Sequence, residues 1–153
     1  MKKYYKQLKF QITGGFTLIE LLIVISILGI LAAATLAILD PIDKIRAGND
    51  SKVQQDVTTV AKAAEAYAAI NNGDYPTGTS FTDIVNILIA SGDLRGTPIA
   101  PGGYSEYAWS GDSSYFTVSG QLRSKRYKDT TVFKYTSGSG KSCASVDVGE
   151  NCP

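Results

Sequence analysis

Residues 14–25 read GGFTLIELLIVI, a stretch that places the carboxylate of Glu20 near the start of a long apolar run. The 24 residues from 16 to 39 hold no other charged side chain. As an α-helix they would extend ~36 Å, slightly more than the hydrocarbon core of a bilayer. The sequence therefore predicts a membrane-spanning helix. Because an ionised carboxylate is costly in such a segment, Glu20 indicates a function and the need for a cationic partner.

The residues before this run are basic. Residues 1–15 contain no acid, end in Gly14-Gly15 and carry four lysines, namely Lys2, Lys3, Lys6 and Lys9. Positive charge beside a span predicts that this end of the chain stays in the cytoplasm.

The sequence GFTLIE at residues 15–20, with the apolar run behind it, resembles the class III signal of type IV pilins and type II secretion pseudopilins. In that family a membrane peptidase cleaves after the glycine equivalent to Gly15 and methylates the new amino terminus, here Phe16. The resemblance also implies that Glu20 meets the N-terminal ammonium of a neighbouring subunit during filament assembly.

Two other interpretations remain open at this point. A basic start, an apolar stretch and the alanines at 32–34 also describe an ordinary signal peptide cleaved after Ala34, although the apolar run is longer than usual for one. A plain single-pass anchor would explain the length of the run but not Glu20.

Composition limits the function further. Removal of residues 1–15 would leave 138 residues, enough for one long helix and one modest head. The four leader lysines leave 11 basic against 14 acidic side chains, so charge gives no support for nucleic-acid binding. The chain has no histidine and no paired carboxylate spacing. We expect a structural protein without enzymatic activity, cofactor or metal site.

The two cysteines, Cys143 and Cys152, lie close together near the C-terminus of a chain that carries an export signal. This arrangement predicts a disulfide, which would stabilise the head by about 2–3 kcal/mol.

The long helix is expected to kink at Asp40-Pro41, since proline removes a backbone donor, and then to continue to about Ile70. Its second half has apolar residues at spacings of three and four, which predict a stripe buried against the head. The stripe comprises Ile42, Ile45, Val53, Val57, Val60, Ala64 and Tyr67. In the first half, Gly29, Ala33 and Ala37 recur every four residues, a spacing that permits close helix packing but is also common in membrane helices.

The head is predicted to contain one short helix and a small antiparallel sheet. Ser80 and Asp83 form a capping-box pattern, and Gly92 marks the helix end. Strands are predicted at 104–109, 115–122 and 130–135, each with one wet face. The fold class is therefore α+β, a long N-terminal helix packed against an antiparallel sheet. The aromatic side chains Trp109, Tyr107 and Tyr115 are read as sheet and core residues.

Several weaker patterns give little support for a functional site. Residues 138–142 imitate the end of a P-loop but are expected to be a flexible linker. Asp147 and Glu150 could join a calcium site without any supporting repeat. Residues 49–51 fit a glycosylation sequon inside the predicted helix. One basic cluster, comprising Arg123, Lys125, Arg126 and Lys128 around Tyr127, could contact DNA, acidic glycans or another subunit, although such runs are usually solvated.

The expected organisation is a cleaved leader (1–15), a transmembrane and filament-core half-helix (16–39), an amphipathic half-helix (40–71) and a head (72–153). The expected function is a structural subunit of a type IV pilus-like filament, with a type II secretion pseudopilin as the alternative. A signal-anchored monomeric binding module is a remote third. The implied partners are pilin subunits, the prepilin peptidase, the inner-membrane assembly platform and, before assembly, membrane lipid. The chain would move from the inner membrane to an extracellular filament.

Overall fold

The computed structural model describes residues 14–127, 131–146 and 152, with backbone alone for 37–39. The chain divides into two units, Met1–Asp40 and Pro41–Pro153. A long N-terminal helical stretch and a small four-stranded antiparallel sheet confirm the α+β class.

Helix α1 runs over Leu18–Leu39 and begins at an N-cap, Thr17. It ends at Asp40, which adopts the left-handed conformation with φ 39° and ψ 71°. The next residue is Pro41, which opens helix α2 and has no N–H to continue the ladder. The interruption predicted at Asp40-Pro41 is thus present, and a single residue separates the two helices.

Helix α2, Pro41–Ile70, buries the middle of the predicted stripe, with Val53, Val57 and Val60 at most 1% exposed. The prediction is wrong for its first members, because Ile42 and Ile45 are 61% and 66% exposed. Among the described residues, Val53 is the first residue of α2 that belongs to the core of the head, so Ile42 and Ile45 precede that core. Periodicity gave the correct face but not the point where the head starts to cover it.

Helix α3, Phe81–Ser91, confirms the capping box predicted at Ser80 and Asp83. The Ser80 hydroxyl accepts from the Asp83 backbone N–H at 3.2 Å, and the Asp83 carboxylate accepts from the Ser80 N–H at 3.0 Å. Gly92 ends the helix at φ 86°, a conformation that favours glycine. The buried face of α3 packs into the same core as α2.

The sheet has the order β1-β2-β3-β4, and every neighbouring pair is antiparallel. The strands are β1 Ala108–Gly111, β2 Phe116–Gln121, β3 Val132–Thr136 and β4 Lys141–Ser145. The predicted pairing of the first two strands is confirmed, although β1 starts four residues later than expected. Residues 104–107 are not strand.

Strand β4 contradicts the linker predicted at 138–142. Residues 137–140 form a tight turn in which Gly140 takes φ 63°, and Lys141 then pairs with Thr136. A Ser/Gly-rich composition is common to linkers and to hairpin turns, so composition alone could not separate the two.

The prediction of one wet face fails for β2. Phe116 and Val118 belong to the core shared with α2, but Thr117 and Ser119 on the alternate positions are also buried, at 3% and 4% exposure. Their cross-strand neighbours, Lys134 and Thr136, are buried as well. The Sγ of the buried Cys152 lies 3.9 Å from the Lys134 carbonyl oxygen, which places Cys152 beside β3.

Candidate functional site: the N-terminal segment

Glu20 is tied to its own helix start by a reciprocal capping box. Its Oε2 accepts from the Thr17 N–H at 2.9 Å and from the Thr17 hydroxyl at 2.8 Å. In return the Thr17 hydroxyl oxygen accepts from the Glu20 N–H at 3.3 Å. This role of Thr17 was not predicted from the sequence, although the T-x-x-E pattern is a recognised signal for it.

Only one of the two carboxylate oxygens takes part in this box. Within the described residues, no hydrogen bond to Oε1 of Glu20 accompanies the two made to Oε2. The carboxylate can therefore cap α1 and still offer an oxygen to a second group.

The apolar side chains of α1 have no core of their own. Phe16 and Leu18 are each 82% exposed, and every described side chain from 14 to 36 is exposed. The helix is long and apolar enough to span a membrane, by length and composition. An apolar surface of this extent requires lipid or other protein around it.

The glycines of this unit are not required by contacts within the chain. A Cβ at Gly15 or at Gly29 would meet no atom within 4 Å, and neither residue has a positive φ. Gly15 precedes the N-cap in a non-helical segment, so the Gly15–Phe16 bond is exposed. Gly29 and Ala33 are exposed on α1, whereas the side chain of Ala37 lies outside the described part.

Comparison with known proteins gives one match. Residues 13–36 match the family model of the prokaryotic N-terminal methylation motif. This motif is the class III prepilin signal of type IV pilins and pseudopilins. It supports a type IV pilin-like or pseudopilin protein, made as a membrane-anchored precursor, processed by a prepilin peptidase and assembled into pilin-type filaments. No curated protein and no solved structure matches the chain.

In the head, a disulfide joins Cys143 of β4 to Cys152, with an S–S distance of 2.07 Å and a Cα–Cα distance of 5.6 Å. Cys152 is buried. The bridge therefore holds the C-terminal end of the chain to the edge strand of the sheet.

Asp50 of α2 accepts hydrogen bonds that hold the segment after β2 against the helix. Its Oδ1 accepts from the Arg123 N–H and the Tyr104 hydroxyl, both at 2.8 Å, and its Oδ2 accepts from the Ser124 N–H at 2.9 Å. Burial alone would raise the pKa of Asp50, but the hydrogen bonds from Ser124, Arg123 and Tyr104 outweigh it and lower that pKa. Burial, followed by the same contact with Asp50, raises the pKa of Tyr104.

A second carboxylate on α2, Glu65, accepts from two tyrosines, Tyr75 at 3.0 Å and Tyr135 at 2.8 Å. Burial and this carboxylate raise the pKa of Tyr135 to about 12. Phe116 sits between Tyr75 and Trp109, with ring centroids 4.7 Å and 4.5 Å away. Of the three aromatic residues predicted to lie in the sheet and core, Tyr107 is buried and Trp109 of β1 stacks on Phe116. The prediction is wrong for Tyr115, which is 39% exposed and lies just before β2.

The remaining candidate sites are described only in part. Within the described ranges, no three His, Cys, Asp or Glu side chains are grouped in a way that could hold a metal ion. Asp147 and Glu150 lie outside those ranges, as does Lys128 of the basic cluster. Asn49 is half-buried beside the fully engaged Asp50.

Proposed function

We propose that this chain is a structural subunit of a type IV pilus-like filament. The observation that carries the proposal is an apolar helix that follows the processing signal and whose described side chains, from 14 to 36, are all exposed. The peptidase would cleave the exposed Gly15–Phe16 bond and methylate Phe16. Helices of successive subunits would then cover one another in the filament core, with the head outside.

Glu20 would guide this assembly. Cleavage creates an ammonium at Phe16, and Oε1 of Glu20 in a neighbouring subunit is the oxygen that the capping box leaves available. In lipid such a pair is strongly favoured over two separated charges, whereas the apolar contacts around it have no preferred register. Gly29, Ala33 and Ala37 would allow the helices to approach closely.

Two substitutions separate capping from intersubunit pairing. Glu20→Gln keeps a side chain that can complete the capping box but removes the charge. Thr17→Ala removes the cap but keeps the carboxylate. We expect Glu20→Gln to be inserted and processed normally and to give few sheared filaments, and Thr17→Ala to assemble nearly as the parent does.

The readout is the yield of sheared filaments per amount of processed subunit in the membrane, in a strain whose only copy is the variant. Equal yields for Glu20→Gln and the parent would remove the pairing from the mechanism. A loss confined to Thr17→Ala would mean that helix capping is the role of Glu20.

The same assay addresses the pseudopilin alternative, because pseudopilins carry the same signal. Filaments that are shed into the medium on shearing support a pilus subunit. A processed chain that yields no such filaments, but whose deletion stops secretion of an exported protein, would instead assign the chain to a secretion pseudopilus.

A further inference from the structure

The exposed start of α2 combines apolar and basic side chains. Ile42 and Ile45 are more than half exposed, Lys44 between them is exposed and Arg46 is half-buried. Exposed isoleucines beside cations are typical of segments that lie in the interface of a membrane. Neither isoleucine belongs to the core of the head that the described residues form.

The segment after β2 adds cations to the same place. The Lys125 N–H donates to Asp43 Oδ1 at 2.6 Å, and the Arg123 N–H donates to Asp50. Arg126 lines a small cleft together with Ala47 of α2. These contacts bring together five basic residues that we name the basic collar: Lys44, Arg46, Arg123, Lys125 and Arg126.

The acidic residues of this region are engaged in the contact itself. Asp50 is 2% exposed and accepts from backbone and tyrosine donors, and Asp43 accepts the Lys125 N–H. Asp40, which precedes α2 in the sequence, is half-buried. By contrast, Lys44, Lys125 and Arg126 are exposed, so the charge that the described residues present to solvent here is basic.

The basic collar begins close in sequence to the apolar span. Lys44 follows Leu39, the last residue of α1, by five positions. Five residues reach at most ~18 Å even when fully extended. The remaining members of the basic collar are held to the same turns of α2 by the hydrogen bonds of Asp43 and Asp50.

We propose that the basic collar and the two isoleucines dock on the anionic phospholipid headgroups of the leaflet that faces the head. This contact would form before assembly, when the subunit is anchored in the membrane. Guanidinium and ammonium groups would bind the phosphates, and Ile42 and Ile45 would enter the interface. Arg126 lies 5.7 Å from the ring centroid of Tyr127, an aromatic type common at this depth. The exposed isoleucines favour a lipid surface over nucleic acid, which offers them no apolar contact. The inference rests on the proposed membrane-stored subunit.

The test is amide hydrogen exchange of the full chain in nanodiscs of phosphatidylglycerol and, separately, of phosphatidylcholine. We expect exchange in residues 42–50 and 123–127 to be on the order of fivefold slower in the anionic discs. Raising the salt towards ~1 M, where the screening length is about 3 Å, should abolish the difference.

A charge-matched pair of variants controls for net charge. Lys44→Glu with Arg126→Glu should lose the protection, whereas Lys62→Glu with Arg95→Glu should keep it. Lys62 and Arg95 are exposed and lie outside the basic collar.

Equal exchange in both lipids would overturn the proposal, as would protection that appears only when subunits associate. The sheared-filament assay of the parent chain is independent of this result. Normal filaments without any lipid dependence would refute the headgroup contact and leave the proposed function standing.

Discussion

Replacing Asp50 with alanine should destabilise the head more than any surface change, because Asp50 is the acceptor for two backbone N–H groups. Removal of the carboxylate leaves the N–H of Ser124, a buried residue, and that of Arg123 without their acceptor. Each buried donor left unsatisfied costs about 1–3 kcal/mol, so we expect a loss of about 2–5 kcal/mol in the free energy of unfolding. The whole domain has only about 5–15 kcal/mol.

The assay is urea unfolding of the full chain in detergent, followed by the fluorescence of Trp109, the only tryptophan. Asp74→Ala is the control, since Asp74 is exposed and its substitution should stay within about 0.5 kcal/mol. The loss for Asp50→Asn should lie between those for Asp50→Ala and Asp74→Ala, because one amide oxygen remains as an acceptor. A loss for Asp50→Ala no larger than that of the control would refute the stabilising role of the hydrogen bonds to Asp50.

The same carboxylate predicts that the free energy of unfolding falls at acid pH. The folded pKa of Asp50 is lowered, so its contribution is present above the unfolded value of about 3.9 and is lost as the pH falls through the folded value. Between neutral pH and acid, the parent should therefore lose more unfolding free energy than Asp50→Ala does. Parallel pH curves for the two chains would contradict the low pKa.

Three further changes have defined outcomes. Gly120→Ala should cost about 1–3 kcal/mol in urea unfolding, since its Cβ would lie 2.6 Å from Val53 Cγ1 and 2.8 Å from Tyr107 Cδ1, whereas Gly138→Ala enters open space and should be neutral. Cys143→Ser should lower the unfolding free energy by about 2–3 kcal/mol, and two titratable thiols in exported parent protein would argue against the bridge. Gly15→Glu should leave an uncleaved precursor on immunoblots, and a mature-sized band would disprove the cleavage position.

Local signals predicted the helices well. The capping box at Ser80, the stop at Gly92 and the buried face at Val53 and Val57 each depend on residues within one or two turns. Strand β4 was missed because its pairing with β3 depends on a turn whose Ser/Gly composition also suits a linker. Burial of both faces of β2 depends on distant parts of the chain, and strand periodicity carries no information about them.

The candidate site divides in the same way. The processing signal is contiguous, so the sequence alone was enough to propose Gly15, Phe16 and Glu20 as site residues. The hydrogen bonds of Asp50 span more than 50 positions in sequence. In the sequence of α2, Asp50 is indistinguishable from an ordinary polar residue of a helix, so its role could not be predicted. Exposure of Ile42 and Ile45 could not be predicted either, because it depends on where the head ends along α2.

The central claim is that the chain is cut before Phe16 and built into filaments. The most direct measurement is the mass of the N-terminal peptide of the chain recovered from sheared surface filaments. We predict a peptide that starts at N-methylated Phe16. A chain that starts at Thr35 or at Met1, or that is processed but absent from every sheared fraction, would contradict the account.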